Sequence, residues 1–519
     1  MDNPFVEHAE LQLLHGSQAG ALQAVRMGLT LSPDDPDLLE IAASCAAILG
    51  DDAYAVACWQ RLLGFRPAEL EPRNSLALAL ERLGRNAEAE AVYRQGLAVL
   101  PDEAILHSNL GLLLEKLGRL AEAESLQRQA FALSPAMAEI NCNLAGALLK
   151  LGCHAEAESL YRAALRLKPE LANAHANFAV LLTECGRLSE AEACFRRALA
   201  LQPDNLQTRT NLGELLLMQG RLAEGWPLYE SRQMVAAGQR AGPPPPCPQW
   251  QGEPLAGKAI IVLPEQGLGD EIQFGRYLAW LKAQGPARLT LVCRPSQQAL
   301  LETLAGPDQV VSSLEAEPCL AQHDFWVFLL SLPRHAGTTL ATIPAGIPYL
   351  FPDPLRQARF APELAGEGRR VGLVWKGNPR HGNDAERSLP GLEVLAPLWS
   401  LAGLRFFSVQ KSELDLPRPP DLPLTDLAPL IGDFADTAAI LSQLDLLIAI
   451  DTSVAHLAGA LGVPCWLLLP CHKTDWRWFQ QRSDSPWYPS LRLFRQEAPG
   501  DWQAPVAAVQ EALRLWFAG

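Results

Sequence analysis

Apolar residues follow two different patterns along this chain, and the pattern changes near residue 240. Through about the first 235 residues they recur at helical spacing, as in "AILHSNLGLLLEKLG" and "AEAESLQRQAFAL". From residue 258 onward, short apolar runs such as "AIIVL" and "RLTLVC" alternate with helix-like segments such as "EIQFGRYLAWLKAQG" and "GLEVLAPLWSLAG". Such alternation predicts parallel sheets with helices on both faces. The pattern therefore predicts an all-α first half and an α/β second half.

Glycine and proline recur in the helical half with a constant period. Glycines stand at 50, 84, 118, 152, 186 and 220, and prolines at 33, 67, 101, 135, 169 and 203, each 34 residues apart. Because glycine often ends a helix and proline often follows one, each period predicts two helices. Small residues and aromatic residues also recur in register, at Ala89, Ala123, Ala157, Ala191 and at Tyr93, Tyr161, Phe195, Tyr229. Residues 1–237 thus resemble a tetratricopeptide-repeat solenoid of about six full repeats after a degenerate leading hairpin.

An asparagine occupies one register of the first helix in four consecutive repeats, at Asn109, Asn143, Asn177 and Asn211. First helices line the concave face of such a solenoid, and a carboxamide offers a peptide backbone both a donor and an acceptor. We expect these residues to bind an extended peptide. The alternative is that they support packing between repeats.

A linker and two further domains follow the repeats. Residues 238–257 break every helical pattern and include four consecutive prolines, which predicts an extended linker. The strand–helix alternation restarts near residue 370 after a Pro-rich stretch. We therefore expect two Rossmann-like domains, over residues 258–362 and 363–519. Ligands of such domains bind at the carboxyl ends of strands and between the domains.

Charge and composition exclude several classes of partner. The formal net charge is −15 and neither half is basic, which argues against nucleic acid or an anionic membrane. Eleven cysteines are dispersed without a C-x-x-C pair, which is typical of reduced thiols. The first residues lack signal-peptide features, and the most apolar stretch, 444–470, is interrupted by Asp445, Asp451 and His456. We expect a cytoplasmic protein without a membrane span.

Polar side chains follow the first predicted strand of the second half. "EQGLGDEI" places Gly267, Gly269 and Asp270 at a helix start. The segment lacks the third glycine of a dinucleotide fingerprint and the lysine of a P-loop. Taken alone, Asp270 fits a helix-capping acid.

A cationic loop, "VWKGNPRHGNDAERSL", follows the strand near residue 370. Its polar side chains are Lys376, Asn378, Arg380, His381 and Arg387. Cations directly after a buried strand predict an anion site, such as one for a diphosphate, although a solvated loop is the alternative.

A third loop follows the strand "LLIAI", which ends before Asp451. Thr452 and Ser453 can cap the next helix, whose free amides would then bind phosphate. His456 in its first turn either contacts that phosphate or is structural. Upstream, "GDFADTAAILSQLD" offers Asp436 and Thr437, where Asp436 is alternatively an N-cap.

Aromatic residues crowd the segment "DWRWFQQRSDSPWYPS", which begins at residue 475. Trp476, Arg477 and Trp478 either clamp the donor or pack in the core. We place Asp475, Trp476, Arg477 and His381 among the residues of the cleft. Gln410, which ends the predicted strand "LRFFSVQ", joins the residues expected at the donor site.

Five segments carry a family resemblance across the second half: "EQGLGDEIQFGRYL", "SLPRHAGTTLATIPAGIPYL", "VGLVWKGNPRHGND", "FADTAAILSQLDLLIAIDTSVAHLAGALGVPCWLLLP" and "DSPWYPSLRLFRQ". They resemble the C-terminal domain of bacterial tetratricopeptide-repeat glycosyltransferases, which is similar to the heptosyltransferase branch of the GT-B glycosyltransferases. The layout also resembles protein O-GlcNAc transferases and flagellin-modifying glycosyltransferases.

The resemblance implies a role for several residues. It makes Asp270 the general base, has Asp451, Thr452, Ser453 and His456 hold the nucleotide diphosphate, and has Lys376 neutralise it. Heptosyltransferases usually carry glycine where Ser453 stands. Gly267, Gly269, Asn378, Arg387, Gln410, Asp436 and Thr437 complete the expected donor site.

We therefore expect an inverting glycosyltransferase that moves a sugar from a nucleotide sugar to a protein hydroxyl held by the repeats. No cofactor and no metal are expected, and residues 241–519 contain no D-x-D triplet. One alternative is a carbohydrate or lipid-linked acceptor, and another is a non-catalytic scaffold with a decayed transferase domain. The repeats also allow a homo-oligomer.

Overall fold

The computed structural model describes residues 3–237, 245–411 and 422–518. The chain divides into two compact units, the first formed by residues 1–181 and 197–203 and the second by residues 182–196 and 204–519. The second unit thus includes the last repeat as well as all of the α/β part. The domain limits expected from the sequence stay predictions.

Fourteen helices form a solenoid in the described part of the first 229 residues, and a short helix, α15 (Arg232–Ala237), follows them. They are α1 (Pro4–Leu14), α2 (Gln18–Leu31), α3 (Pro36–Ile48), α4 (Asp52–Phe65), α5 (Leu70–Arg82), α6 (Asn86–Val99), α7 (Ala104–Lys116), α8 (Leu120–Leu133), α9 (Ala138–Lys150), α10 (His154–Leu167), α11 (Ala172–Glu184), α12 (Leu188–Leu201), α13 (Leu206–Met218) and α14 (Leu222–Tyr229). From α4 to α14, each helix begins 34 residues after the equivalent helix of the previous repeat.

The repeated glycines and small residues explain this regularity. Every glycine of the 34-residue series has a left-handed backbone, with φ between 73° and 82°, so each can end a first helix where other residues would be strained. Gly16 has the same conformation (φ 75°), so the leading hairpin keeps the glycine of the repeat as well. The repeated alanines and aromatic residues are buried, as predicted.

A four-stranded parallel sheet opens the α/β part, with strand order β3-β2-β1-β4. Its strands are β1 (Ala259–Leu263), β2 (Arg288–Cys293), β3 (Gln309–Ser312) and β4 (Phe325–Phe328). In register, Ile260 pairs with Leu289 of β2 and with Phe325 of β4. Its helices are α16 (Leu268–Phe274), α17 (Leu278–Ala283), α18 (Gln298–Leu301), α19 (Glu317–Leu320) and α20 (Leu332–His335).

A six-stranded parallel sheet follows helix α21 (Pro354–Leu364), with strand order β10-β9-β8-β5-β6-β7. Its strands are β5 (Arg369–Val374), β6 (Leu404–Ser408), β7 (Leu424–Asp426), β8 (Leu446–Ile450), β9 (Cys465–Leu469) and β10 (Leu491–Arg495). In register, Gly372 of β5 pairs with Phe407 of β6 and with Leu447 of β8. Its helices are α22 (Asp384–Arg387), α23 (Phe434–Leu441), α24 (Ser453–Leu461) and α25 (Gln503–Ala518).

Two segments expected as single helices differ in the structure. "EIQFGRYLAWLKAQG" is divided into α16, a 3₁₀ turn over residues 275–277, and α17. "GLEVLAPLWSLAG" forms a 3₁₀ helix over Leu392–Ser400, and it contains Pro397, which cannot donate a helical backbone bond. Strand β7, only three residues long, was not expected from the sequence.

The expected linker, residues 238–257, lies partly outside the described residues. The described remainder packs on the first sheet, because Trp250 N donates to Trp326 O at 2.8 Å and Trp326 N donates to Pro248 O at 3.1 Å. Trp250 is buried and its ring lies 4.4 Å from that of His335. This part of the segment therefore belongs to the second unit and is not a free spacer.

One hydrophobic core joins the last repeat to both sheets within the second unit. Trp226 and Tyr229 of α14 lie in the same buried cluster as Phe274 of α16 and as Trp476 and Trp487. Trp226 contacts Phe274 and Trp476 edge-on, at 6.4 and 5.4 Å between ring centres. Among the described residues, no helix is long and apolar enough to cross a bilayer.

Candidate functional site

Both sheets contain a point at which the strand order reverses. In the first sheet β1 lies between β2 and β4, and in the second β5 lies between β6 and β8. The crevice at the carboxyl ends of strands beside such a point is where open parallel sheets bind ligands. The three loops selected from the sequence follow β1, β5 and β8, so each one lies at a reversal point.

The loop after β1 and the helix after β8 are in direct contact. Gly269 approaches the ring of His456 so closely that a Cβ on Gly269 would lie 2.8 Å from His456 Cδ2. Glycine is therefore needed at this position for packing rather than for an unusual backbone conformation. The contact brings two of the predicted site segments together.

Arg477 ties the two acids Asp270 and Asp475 into one cluster. Asp270 Oδ1 accepts a hydrogen bond from Arg477 Nη2, while its Oδ2 accepts one from Gly267 N at 2.6 Å. Arg477 Nη1 donates to both oxygens of Asp475 at 2.9 Å, and its Nε donates to Gln273 Oε1 at 2.7 Å. Asp270 is thus a helix-capping acid, as one interpretation held, and also the partner of a buried cation.

Burial and the Arg477 charge act on the two acids in opposite directions. Burial raises the pKa of Asp270 above its ordinary value, and the guanidinium of Arg477 opposes that rise. Burial would also raise the pKa of Asp475, but Arg477 holds it below its ordinary value. The side chains of Arg477, Asp270 and Asp475 are 5%, 13% and 34% exposed, so Asp475 keeps the most contact with water.

Backbone strain is concentrated in the same two segments. Among the described residues, the non-glycine positions with a left-handed backbone are Gln266 (φ 61°), Lys473 (φ 52°) and Phe479 (φ 54°). Gln266 precedes the glycine loop, and the other two flank Asp475 and Arg477. Such residues persist only where their surroundings hold them, and they are often found at functional sites.

The cationic loop after β5 is held at its base by Gln410. Gln410 Oε1 accepts from the backbone N–H groups of Trp375 and Lys376 at 3.0 and 2.9 Å. Within the described ranges, the ammonium group of Lys376 has no hydrogen bond or ion pair. Arg387 Nε lies 3.5 Å from Asp384 Oδ1 and has no hydrogen-bond partner in the part of the chain described. Lys376 is thus available to an anion, whereas Arg387 already forms an ion pair with Asp384.

Asn378 and His381 shape the exposed part of that loop. Asn378 Oδ1 accepts from Arg380 N at 3.0 Å, and His381 Nδ1 accepts from Asn383 N at 3.3 Å. Asn383 Nδ2 donates to Lys473 O at 2.8 Å, which connects the cationic loop to the segment before Asp475. Both predicted residues therefore serve local turns in this structure, and both remain exposed.

The helix start after β8 presents backbone amides. Thr452 is the N-cap of α24, and its side chain makes no capping hydrogen bond. Among the described residues, the amides of Ser453 and Val454 have no backbone acceptor. Unpaired amides at the positive end of a helix are a general binding feature for anions.

Asp451 and His456 lie beside this helix start, and burial shifts the pKa of both. Burial raises the pKa of Asp451 to about 6, and the charge of Asp475 adds to the rise. His456 is 6% exposed, its Nδ1 lies 3.1 Å from Tyr488 Oη, and its ring stacks on Trp478 at 5.1 Å. Burial lowers the pKa of His456 to about 3, so the ring is neutral and packed in the interior.

Asp436 and Thr437 belong to a different network. Asp433, not Asp436, is the N-cap of α23, which corrects the alternative suggested from the sequence. The carboxylate of Asp436 accepts from Arg356 Nη1 at 2.8 Å and pairs with Arg359 Nη2 at 3.0 Å. Thr437 Oγ1 donates to Asp433 O at 3.2 Å. Asp436 thus fastens α21 to α23.

The aromatic segment after residue 475 is used for packing. Trp476 is 5% exposed and Trp478 is fully buried, and both lie in the core cluster that includes α14. The guanidinium of Arg477 lies 4.4 Å from the centre of the Trp476 ring. Of this segment, Arg477 contacts Asp270 of the glycine loop, and Asp475 is joined to it through Arg477.

The asparagine series makes contacts between neighbouring repeats. Asn109 Nδ2 donates to Asn74 Oδ1 at 2.6 Å, and Asn143 Nδ2 donates to Ser108 Oγ at 2.9 Å. The next contact is weaker, because Asn177 Nδ2 lies 3.9 Å from a sulfur atom, that of Cys142. In the second unit, Asn211 Oδ1 accepts from Gln207 Nε2 at 2.7 Å. The donor groups of the first three therefore support packing, and a peptide would meet mainly their oxygens.

Three side chains at the site were not expected from the sequence. Gln273 holds Arg477, and Tyr229 Oη accepts from Gln266 Nε2 at 2.8 Å, which supports the strained residue before the glycine loop. Glu214 of α13 shares its electrostatic environment with Asp475 and Arg477. Of the three, only Glu214 could have been noticed in the sequence, because it is an acid at a position where the preceding repeats carry apolar residues or glycine.

Comparison with known proteins supports the repeats most strongly. The family profile described as "Tetratricopeptide repeat" matches residues 74–138, 125–172 and 179–231. A curated relative, Protein FlbA of Caulobacter vibrioides, is 28% identical over 318 residues. That alignment covers 56% of this chain and 52% of the relative, so the chain spans about half the length of the curated relative it matches.

Two solved structures illustrate the likeness among repeat proteins. A tetratricopeptide repeat protein from Parabacteroides merdae is 17% identical with a TM-score of 0.40, covering 45% of this chain and 95% of that protein. YrrB, described as a TPR protein with an unusual peptide-binding site, is 19% identical with a TM-score of 0.29, covering 36% of this chain and 96% of that protein.

Proposed function

We propose that this protein is a cytoplasmic GT-B glycosyltransferase that moves a sugar from a nucleoside diphosphate sugar to a hydroxyl of a protein bound by the repeats. The observation that carries the proposal is that the loop after β1 meets two segments of the second sheet: Gly269 packs on His456 of α24, and Asp270 pairs with Arg477, which follows β9. Backbone amides, an unpaired cation and carboxylates at the carboxyl ends of parallel strands are suited to group transfer from an anionic leaving group.

The donor diphosphate would lie at the start of α24. The amides of Ser453 and Val454 would donate to its oxygens, while Lys376 and Arg387 would neutralise its charge. Charge on the diphosphate grows as the glycosidic bond breaks, so these groups stabilise the transition state more than the bound donor. His456, which is neutral and buried, would support the helix start by packing.

The acceptor hydroxyl must lose a proton as it attacks the anomeric carbon. The expected proton acceptor is Asp270, which follows β1 at the reversal point of the first sheet. Both of its oxygens, however, already accept hydrogen bonds from Arg477 and Gly267. A carboxylate held in this way is a weaker base than a free one, because the bonds favour its charged form.

The proposal is tested first by donor binding. Lys376→Ala should weaken the binding of a nucleoside diphosphate about tenfold or more, because a charge-assisted contact contributes roughly 1.5–3 kcal/mol. Isothermal calorimetry with uridine, guanosine, adenosine and thymidine diphosphates would measure the change. Lys258→Ala is a matched control, because Lys258 pairs with the exposed Asp324 and precedes β1 at the opposite end of that strand. Unchanged affinity in Lys376→Ala would refute its role.

Transfer itself is tested by mass spectrometry of cellular proteins with and without the gene. A protein that loses the mass of a sugar when the gene is deleted would identify the acceptor. Asp270→Ala should abolish transfer while nucleotide binding remains nearly intact. Equal loss of both would show that Asp270 mainly supports the donor site. A chain that binds nucleotide but modifies nothing, carbohydrate and lipid-linked acceptors included, would point to a scaffold.

A further inference from the structure

Helix α13 carries a carboxylate on the face where the repeats present asparagine. Glu214 stands three residues after Asn211, so the two side chains share one face of α13. The same register holds Leu78, Leu112, Gly146 and Val180 in the four preceding repeats, so an acid is new in the last one. Leu78 and Leu112 are 37% and 39% exposed, which shows that this register lies at the solenoid surface.

Glu214 also faces the acid cluster of the second unit. Helix α13 packs against the turn Trp476–Trp478, and Glu214 lies close enough to Asp475 and Arg477 for their charges to act on it. The other charged or titratable groups acting from neighbouring elements are Arg232 and Tyr229. Glu214 is partly buried and, within the residues described, makes no hydrogen bond or ion pair of its own.

The carboxylate oxygens of Asp270 and Glu214 therefore differ in whether they are available to accept a proton. The oxygens of Asp270 are engaged by a guanidinium and a backbone amide, whereas those of Glu214 have no partner in the described chain. A general base needs an accessible lone pair within reach of the acceptor hydroxyl. The Glu214 carboxylate of the last repeat offers such a lone pair. It lies beside Asn211, which belongs to the surface expected to hold the acceptor.

We propose that Glu214 is the general base of the transfer and that Asp270 is a positioning residue that fixes Arg477; this inference rests on the proposed function. In the reaction the acceptor O–H proton passes to the Glu214 carboxylate while the acceptor oxygen forms a bond to the anomeric carbon. The bond from that carbon to the donor phosphate breaks, and its electron pair leaves with the nucleoside diphosphate. The residues at the start of α24 and Lys376 stabilise this anion.

The electrostatic environment agrees with that role. Burial raises the pKa of Glu214 to about 7, and the negative charge of Asp475 adds to the rise while Arg477 and Arg232 oppose it. A base with a pKa near the working pH is both partly deprotonated and able to hold a proton. The rate should therefore increase with pH through about 7, where Glu214 loses its proton.

The experiment measures nucleoside diphosphate released from uridine, guanosine, adenosine and thymidine diphosphate sugars by the full chain, with water as acceptor. Glu214→Gln should lower the rate about 100-fold or more and remove the rise near pH 7, while diphosphate affinity stays within about twofold. Asp270→Asn should lower the rate but keep the rise. Glu224→Gln is a matched control, because it makes the same charge change in the same repeat at a side chain that is 54% exposed and paired with Arg221.

Each outcome decides between the assignments. If the wild-type chain releases diphosphate and Glu214→Gln releases it as fast, the assignment to Glu214 is wrong while the proposed function stands. The assignment is equally overturned if Asp270→Asn removes the rise with pH and Glu214→Gln keeps it. If the wild-type chain neither binds nor cleaves any of these donors, the proposed function fails and this inference with it. Glu214→Leu, which gives the last repeat the residue found at Leu78 and Leu112, replaces Glu214→Gln if that variant melts early.

Discussion

Replacing Arg477 with methionine tests whether the buried guanidinium holds the candidate site together. Methionine keeps much of the apolar stem that packs against Trp476, but it removes every side-chain hydrogen bond from Arg477 to Asp270, Asp475 and Gln273. Two carboxylates then remain enclosed without their cation. The perturbation therefore separates the charge of Arg477 from its contribution to packing.

The cost can be bounded from the exposure of the three groups. Breaking a fully buried ion pair by removing one partner costs about 3–5 kcal/mol. Asp270 is 13% exposed and stays close to that limit, whereas Asp475 at 34% is partly solvated and contributes less. We therefore expect Arg477→Met to lower the free energy of unfolding of the second unit by about 3 kcal/mol.

Urea unfolding followed by tryptophan fluorescence is a suitable assay. Of the 13 tryptophans, only Trp59 lies in the first unit, so the signal reports almost entirely on the second. Arg482→Met provides the control, because Arg482 pairs with Asp484 in the same segment at 41% and 66% exposure. An exposed pair of this kind contributes about 0–1 kcal/mol.

A double substitution sharpens the result. Adding Asp270→Asn to Arg477→Met removes the negative charge that Arg477→Met leaves buried without a cation. The double substitution should therefore lower the free energy of unfolding by less than the sum of the two single substitutions. If Arg477→Met destabilises the protein no more than Arg482→Met does, the guanidinium does not hold these acids in solution. Strict additivity with Asp270→Asn would lead to the same conclusion.

Three further predictions follow from the same contacts. Gly269→Ala should cost about 1–3 kcal/mol in urea unfolding, because its Cβ would lie 2.8 Å from the His456 ring, whereas Gly382→Ala meets nothing within 4 Å and should be neutral. Burial lowers the pKa of His456 in the folded protein to about 3, below its ordinary 6.5. Its contribution to stability is therefore complete above pH 6.5 and is lost as the pH falls toward 3. His456→Leu should reduce the slope of the free energy of unfolding against pH in this range by up to about 1.4 kcal/mol per pH unit, as measured by urea unfolding. A chain of residues 204–519 should unfold cooperatively with near-native tryptophan fluorescence, whereas one of residues 245–519, which lacks the α14 aromatic residues of the shared core, should aggregate or melt early.

The secondary structure could be predicted where a single physical pattern dominated. Strands such as β8 and β9 are buried along their whole length, so the sequence shows them as unbroken apolar runs. The repeats could be recognised in the sequence because each turn between the two helices of a repeat has a glycine with a left-handed backbone at the same position. The prediction of an α-helix is wrong where the same residues can form a 3₁₀ helix, as at Leu392–Ser400 around Pro397.

The partners of the candidate site residues could not be predicted, because they join distant parts of the chain. Asp270 and Arg477 are 207 residues apart, and neither local sequence indicates the other. The positions of the loops after β1, β5 and β8 could be predicted, since apolar runs mark buried parallel strands and polar residues follow their carboxyl ends. It did not indicate that Asp436 would pair with Arg356, because a helix-start acid has the same appearance whether it faces a ligand or another helix.

The last repeat contributes to the site in a way that its repeat pattern conceals. Its aromatic residue Tyr229 occupies the ordinary core register, yet its hydroxyl holds Gln266, whose left-handed backbone sets the path of the glycine loop. A left-handed non-glycine residue costs roughly 1–3 kcal/mol and persists only where neighbours impose it. Because one of those neighbours comes from α14, the geometry of Gly267 and Asp270 depends on the repeat. The α/β part and the last repeat are therefore one energetic unit, and a substitution that loosens α14 should alter the loop before it alters either sheet.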